Sequence, residues 1–483
     1  MLRHVTDYYL YKWRYAIGYL FIILIIGLII SLASFYLPGG LRSAEMRSSL
    51  QSGALSIESI DPAMVVDLPY HILQRISFIL FGVSIISIKL PSVILGSLTI
   101  FGLFLLIRTW FRRNIAVITT ILAVTAAPFL FILQDGTPYI MYSFLTIWIL
   151  FAATYVTRKK LFGTFWKVLT GVLMAAAMYT PLGVYLVIAV LTTAFFHPHI
   201  RYTIMKFSRP RLWIAIVLGL VSLVPLIYAS AVDHATLFTL LGIPTSDPEL
   251  RHNIMLIVST LTSLGSGDSG YLLKPLYSIG FMMLVGIGIY KLVTYKYTAR
   301  SYITLSLSVF LIPLVIFNPE RVLYLFPLAC LMLALGIATL VTDWYKLFPK
   351  NPYARVAGLI PLSIVVLGMA YSGVARYSNN YTYNPAILKH YSNDLRLIER
   401  EVKRSPTKEK PVVIVSKDTL AFYTMVASFN KHFVTAENLP TTSGKIIVSR
   451  DANVKPDVSI EKIITSRFSE NADRFYVYNY TAK

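Results

Sequence analysis

Glu45, Asp61 and Asp67 lie in a polar stretch, residues 36–85, between two apolar runs of membrane-crossing length. Charged groups held against a bilayer by such flanks are costly, and they are usually kept for function. A carboxylate in this place can serve in catalysis, and Asp61 and Asp67 could be a second acid or a metal ligand, so all three are candidate catalytic residues. Asp135, in Gln134-Asp135-Gly136-Thr137-Pro138, is a fourth acid in a comparable loop. Arg321, Lys274 and Arg75 fall in loops assigned to the same side, where a cation can hold a phosphate and stabilise charge on a leaving group. Tyr70 and His71, in Leu68-Pro69-Tyr70-His71, complete the set as contacts for a bound molecule. Each candidate also has a plainer reading. Glu45 can pair with Arg42 or Arg47, and Asp61 or Asp67 can cap a helix starting near Pro69. Asp135 suits a turn before glycine, Arg321 a snorkelling anchor, and His71 an interfacial ring.

The elements that must position these groups are membrane helices. The chain has 483 residues, 56% hydrophobic and only 14% charged, against about 25% charged in a soluble domain. Apolar runs predict about 11 spans, at roughly 14–35, 86–107, 115–133, 138–157, 165–180, 182–196, 212–231, 272–293, 303–318, 322–342 and 356–375. Residues 165–196 are divided into two short spans at Tyr179-Thr180-Pro181. The first span is longer than the apolar core of a signal peptide and no small-residue cleavage site follows it, so it is expected to stay.

The net charge of +21 is distributed as a topology signal. Short loops on one side hold 20 Lys and Arg, and the intervening segments hold seven. That bias predicts a cytoplasmic N-terminus and places the acidic loops outside. The excess suits anionic lipid headgroups, and no nucleic-acid motif accompanies it. The single cysteine, Cys330, lies in an apolar run and can form no intramolecular disulfide.

After about Arg376 the pattern changes. Ala386–Lys403 has helical periodicity, 411–416 and 444–449 read as buried strands, 418–430 as a helix, and 474–480 as a closing strand. The expected architecture is therefore mainly α: a transmembrane helical bundle, 1–375, followed by a small extracytoplasmic α/β domain, 376–483. That domain carries no glycine-rich phosphate loop.

Several motifs now fall into order: Pro38, Gly40-Leu41, Glu45, Leu68-Pro69, Phe81-Gly82, Lys89-Leu90-Pro91-Ser92 and Asn318-Pro319-Glu320-Arg321-Val322-Leu323-Tyr324. Their order and membrane placement resemble the GT-C glycosyltransferase superfamily, which includes protein O-mannosyltransferases and lipid A aminoarabinose transferases. The resemblance covers mainly residues 14–160. It implies transfer of a sugar from a polyprenyl-phosphate carrier to an envelope glycan, lipid or protein at the outer face of the cytoplasmic membrane. The donor, the acceptor and membrane lipids are the implied partners. An acid of the first loop would be the base, and a cation would bind the donor phosphate. The position matching the family's leading Asp is Ala44, so Glu45, Asp67 or Asp61 must serve instead. A divalent cation, Mg²⁺ or Mn²⁺, is the one cofactor to test, although carboxylates without histidines suit it only weakly. Two other readings stay open: a catalytically degenerate relative that binds partners in envelope assembly, and a transporter. Ser263–Tyr271 could close over the site as a lid.

Overall fold

The computed structural model describes residues 2–37, 39–55, 62–158, 162–207, 209–244, 249–262, 272–294, 298–347, 352–404, 410–440, 443–466 and 473–480. Asp61 and Ser263–Tyr271 lie outside the described residues.

The helices run in the order α1 Leu2–Phe35, α2 Ser43–Ala54, α3 Leu68–Phe81, α4 Ile85–Trp110, α5 Arg113–Val124, α6 Ala127–Gln134, α7 Tyr139–Arg158, α8 Gly163–Met178 and α9 Gly183–Phe196. They continue as α10 Pro198–Met205, α11 Arg209–Ser222, α12 Val224–Val232, α13 His234–Leu241, α14 Leu250–Thr262, α15 Ile279–Thr294 and α16 Ala299–Phe317. A 3₁₀ turn, Pro319–Leu325, leads into α17 Phe326–Leu347, and α18 Pro352–Tyr383 completes the bundle. Among the described residues six helices are long and apolar enough to cross a membrane, or nine if each bent pair is one span. The chain is a multi-pass membrane protein. Each of the 11 segments expected from sequence meets a helix or a bent pair, but α8 and α15 have only 16 residues each. The segment 115–133 is not one rod: α5 and α6 meet at 64°, where Thr125-Ala126 precedes Pro128. Pro128 has no amide to donate to the Val124 carbonyl, so it cannot continue α5 and sits in the first turn of α6, where no such bond is needed. The segment starting at 272 becomes helical only at Ile279.

Between α1 and α4, α2 and α3 lie at one end of the bundle. Helix α3 is amphipathic with its sides reversed relative to a soluble helix. Ile72, Ile76, Ile79 and Leu80 are exposed, while Gln74 and His71 are buried. Such a helix rests its apolar face on lipid and its polar face on the protein.

Beyond α18 come α19 Pro385–Leu388, α20 Asp394–Arg404, β1 Val412–Ile414, α21 Lys417–Asn430, β2 Val434–Ala436, β3 Gly444–Ser449, β4 Lys462–Thr465 and β5 Asp473–Tyr480. The sheet order is β2-β1-β3-β5-β4. Strand β1 pairs in parallel with β2 and β3, and β5 pairs antiparallel with β3 and β4. Ion pairs tie α20 to the sheet, Arg474 to Asp394 at 2.5 Å and Lys445 to Glu401 at 3.0 Å.

This sheet unit is fastened to the α2–α3 segment. Leu41 and Ser392 exchange two backbone hydrogen bonds of 2.7 Å. Asn430 bonds both the amide and the carbonyl of Val83, each at 2.7 Å. Leu41, Phe78, Val83 and Ile88 bury in one apolar cluster with Leu395 and Val413. The α2–α3 segment and the C-terminal sheet therefore share one end of the bundle.

Candidate functional site

The sequence candidates separate into a buried hub and a mouth beside it. Glu45 is the third residue of α2, where a glutamate suits the helix N-terminus. Its Oε2 accepts the Arg42 amide at 2.7 Å, and its Oε1 accepts the Gly136 amide at 2.7 Å. Lys89 Nζ lies 3.5 Å from Oε1 and donates to Gln134 Oε1 at 2.7 Å. Arg42 reaches Asp135 Oδ1 through Nε at 3.2 Å and Nη2 at 2.5 Å. Thr137 donates its hydroxyl to the other oxygen of Asp135.

Tyr70 and His71 face the same hub from α3. The Tyr70 hydroxyl lies 2.8 Å from Ser92 Oγ, which donates to the Asp135 carbonyl at 2.6 Å. His71 Nδ1 lies 2.8 Å from Ser52 Oγ, and burial lowers its pKa to about 4, so it is neutral. Gln74 joins the two loops by donating to the carbonyls of Ile88 at 2.9 Å and Gly136 at 3.2 Å.

Glu45, expected above as a base, has no exposed surface. Burial pulls its carboxyl up from the ordinary range, chiefly against the Lys89 charge. Two cations and two carboxylates, with hydrogen bonds on every oxygen, join the first loop to the α6–α7 turn. Buried charges are tolerated only in such arrangements.

At the mouth the same residue types are arranged differently. Asp67 stands immediately before α3 with φ 56°, in the left-handed region, and its side chain makes no capping bond. Its amide donates to the Tyr179 carbonyl at 2.8 Å, which locks it against the turn between α8 and α9. The sequence reading of Asp67 as a helix cap is thus corrected: the left-handed backbone turns the carboxyl away from the helix amides. Asp67 Oδ1 is buried without a hydrogen bond, as is the neighbouring Thr180 hydroxyl. Burial pushes the Asp67 pKa to about 7, opposed by the Arg321 charge and then by the Thr180 hydroxyl, which is close to the carboxyl but outside hydrogen-bond geometry. Strain and an unpartnered polar atom in a buried position are characteristic of functional sites.

Arg321 comes from the 3₁₀ turn. Its Nη1 donates to the Tyr324 hydroxyl at 3.1 Å, and its guanidinium lies 5.7 Å from the Tyr139 ring centre. Its Nε is 3.6 Å from Glu320, whose side chain is 68% exposed. Tyr324 stacks on Tyr142 at 4.3 Å, which fixes this wall. Asp67 and Arg321 feel each other's charge but form no contact ion pair.

Two expected cations are placed elsewhere. Arg75 donates to the Gly53 carbonyl at 2.6 Å and lies over Phe429 at 6.0 Å, so it closes the end of α2 against the C-terminal unit. Lys274 donates to Ser259 Oγ at 3.3 Å, between α14 and α15. Among the described residues, no three or more His, Cys, Asp or Glu side chains converge on a metal position. In the hub the Glu45 and Asp135 oxygens are already held by cations and hydrogen bonds, so these two acids leave no place for a hard cation.

Sequence reasoning missed Thr180, Tyr139, Tyr142 and Tyr324 at the mouth, and Gln74 and Gln134 in the hub. The glutamines had a readable signal, since each interrupts an apolar run.

Residues 69–228, one third of the chain, match the family model described as dolichyl-phosphate-mannose-protein mannosyltransferase. The structure of ArnT from Cupriavidus metallidurans in the apo state aligns with TM-score 0.53 and 13% identity, covering 96% of this chain and 98% of that one. The same protein bound to undecaprenyl phosphate aligns with TM-score 0.51 and 14% identity, covering 95% and 98%. The chain has the GT-C fold. A further GT-C structure, the Archaeoglobus fulgidus oligosaccharyltransferase tethered with an acceptor peptide, aligns with TM-score 0.50 and 12% identity, covering 91% of this chain and 70% of that one. No curated protein sequence matches the chain. Within this fold the mouth is built from α3, the α8–α9 turn and the segment between α16 and α17.

Proposed function

We propose that this chain is a membrane glycosyltransferase that moves a sugar from a polyprenyl-phosphate carrier to an envelope acceptor, with its loop end on the outer face. The observation that carries the reading is Asp67: a strained, buried carboxyl with an unbonded oxygen, held near pKa 7 and facing Arg321. The GT-C fold and the match of residues 69–228 to a dolichyl-phosphate-mannose transferase model support the donor class.

In this reading Asp67 takes the proton from an acceptor hydroxyl or amine as that group attacks the anomeric carbon. The carbon–oxygen bond to the carrier phosphate breaks, and polyprenyl phosphate leaves with the electron pair. A base with pKa near neutrality holds its active form while keeping enough basicity to drive proton transfer. Arg321, braced by Tyr324 and Tyr139, neutralises the phosphate, and Thr180 is placed to donate to one of the reacting oxygens. Glu45 holds the loop and does not touch the reacting atoms.

The test is transfer from a labelled polyprenyl-phosphate sugar by the chain reconstituted in vesicles. Wild type should transfer and Asp67→Asn should not. Transfer that survives in Asp67→Asn but is lost in folded Glu45→Gln would return the base to Glu45. A second reading, a degenerate GT-C protein that binds without transferring, is favoured by Ala44 at the family's acidic position. It predicts donor binding with no transfer in any variant.

A further inference from the structure

A cavity of about 860 Å³ lies between α7, α8, α9 and α11 and reaches the start of α16. That is the size of an ordinary small-molecule site, roughly 300–1,000 Å³. Its walls are apolar, with Leu150, Met174, Val187 and Val190 among them. Leu191, Ile216 and Leu220 line it and are also exposed on the flank of the bundle, so the cavity opens sideways.

One end is strongly basic. Arg158, Lys167 and Arg300 all line the cavity where α7 ends and α8 and α16 begin. This is the end opposite the C-terminal sheet. Arg158 donates to the Thr109 carbonyl at 2.7 Å and Arg300 to the Trp110 carbonyl at 2.6 Å. Lys167 Nζ sits 4.0 Å from the Phe207 ring centre. These contacts orient the three cations without neutralising them, and none forms an ion pair among the described residues. The sequence offers little compensation nearby. Only Asp7 and Asp343 fall in segments at this end, and Asp343 pairs with Lys346 at 3.2 Å.

We infer that this cavity is a binding site for an acidic glycerophospholipid of the leaflet at the basic end, distinct from the donor site. Its phosphate lies among Arg158, Lys167 and Arg300, and one acyl chain fills the apolar slot. A bare phosphate leaves the apolar walls uncovered. A zwitterionic headgroup brings an ammonium toward three cations. The carrier phosphate of the proposed transfer belongs at the other end, with Arg321. The inference rests on this cavity and holds whether or not the chain is a transferase.

The test is native mass spectrometry of the delipidated full chain titrated with phosphatidylglycerol or phosphatidylcholine of the same acyl chains. One phosphatidylglycerol should bind in preference to phosphatidylcholine by on the order of 100-fold, given three cations near the headgroup. The combined change Arg158→Gln, Lys167→Gln and Arg300→Gln should erase that preference. The combined change Arg108→Gln, Lys291→Gln and Lys346→Gln, none of which lines the cavity, should keep it. Ala153→Phe, which narrows the slot and leaves all three cations, should weaken phosphatidylglycerol alone, and this holds the inference testable if the cation variant misfolds. Equal binding of the two lipids, equal loss in both charge variants, or displacement of phosphatidylglycerol by inorganic phosphate or by polyprenyl phosphate at equimolar concentration would overturn it.

Discussion

In the hub, Arg42, Lys89, Glu45 and Asp135 all have named partners at hydrogen-bond or ion-pair distance. At the mouth, 22 residues after Glu45 in the same loop, Asp67 keeps an unbonded oxygen and Arg321 stands near it without touching. The residue types are the same, and Asp67 is buried like the hub acids, while Arg321 keeps 23% of its side chain exposed. What differs is whether the network is closed. A closed set of charges joins loops, because removing any member strands the others. An open set leaves room for a ligand to complete it. For reading buried charges in a membrane protein, the informative acid is the one whose partners are missing.

The largest effect should come from breaking the closed set. Arg42→Ala strands Asp135 in a dry site and should cost about 3–5 kcal/mol. Thermal unfolding of the purified chain should show it as a large drop in midpoint. A normal midpoint would show that the hub does not hold the loop.

Asp67→Asn should act on chemistry, with transfer falling about 10²–10⁴-fold while the fold stays intact. The wild-type rate should rise with pH through about 7 as Asp67 loses its proton. The stability sign runs the other way. A carboxyl whose folded pKa is raised from 3.8 to about 7 favours the folded state fully below pH 3.8 and loses that contribution as pH rises through 7. Asp67→Asn should therefore flatten both the rate profile and this part of the stability profile. A variant whose melting point keeps the wild-type decline between pH 5 and 8 would show that Asp67 does not titrate there.

Arg321→Gln should raise the donor concentration needed for half-maximal transfer about 10–100-fold, the range for losing a charged hydrogen bond. Turnover at saturating donor should change less. An unchanged donor requirement would move the phosphate to another cation.

Glu45→Gln should be the mildest. It keeps the shape and one acceptor, and Lys89 keeps its 2.7 Å bond to Gln134, so it should cost less than Arg42→Ala, about 1–3 kcal/mol of stability, and little turnover per folded molecule. Loss of turnover without loss of stability would invert the comparison.

Much of the architecture was readable from the residues. The eleven apolar runs met helices, and the interruption at Thr180-Pro181 became the turn between α8 and α9. Strands β1, β3 and β5 and helix α21 stood out by periodicity. The strands β2 and β4 did not, because three or four residues give too little alternation to read. The site was half legible. Topology placed Asp67 and Arg321 on one side of the membrane, but it could not show which acids are closed into a network. Glu45 depends on Lys89 and Gly136, 44 and 91 residues away, and such distances carry no local pattern. The left-handed backbone at Asp67 was equally silent, since aspartate before proline-containing helices usually caps them.

The pair of hydrogen bonds between Leu41 and Ser392 sits one residue before Arg42, so residues separated by some 350 positions set the first member of the hub. A ribosome exposes Leu41 long before it has made Ser392, Asn430 or the sheet behind them. Until those residues arrive, Leu41, Phe78 and Val83 lack the apolar cover that Leu395 and Val413 supply, and the α2–α3 segment is held from the bundle side alone. Clamping of the α2–α3 segment is thus postponed to the end of synthesis. A chain that stops short of the sheet carries every mouth residue described above and still lacks the outer fastening of the α2–α3 segment, so the last part of the chain to be made is the part that clamps one of the first.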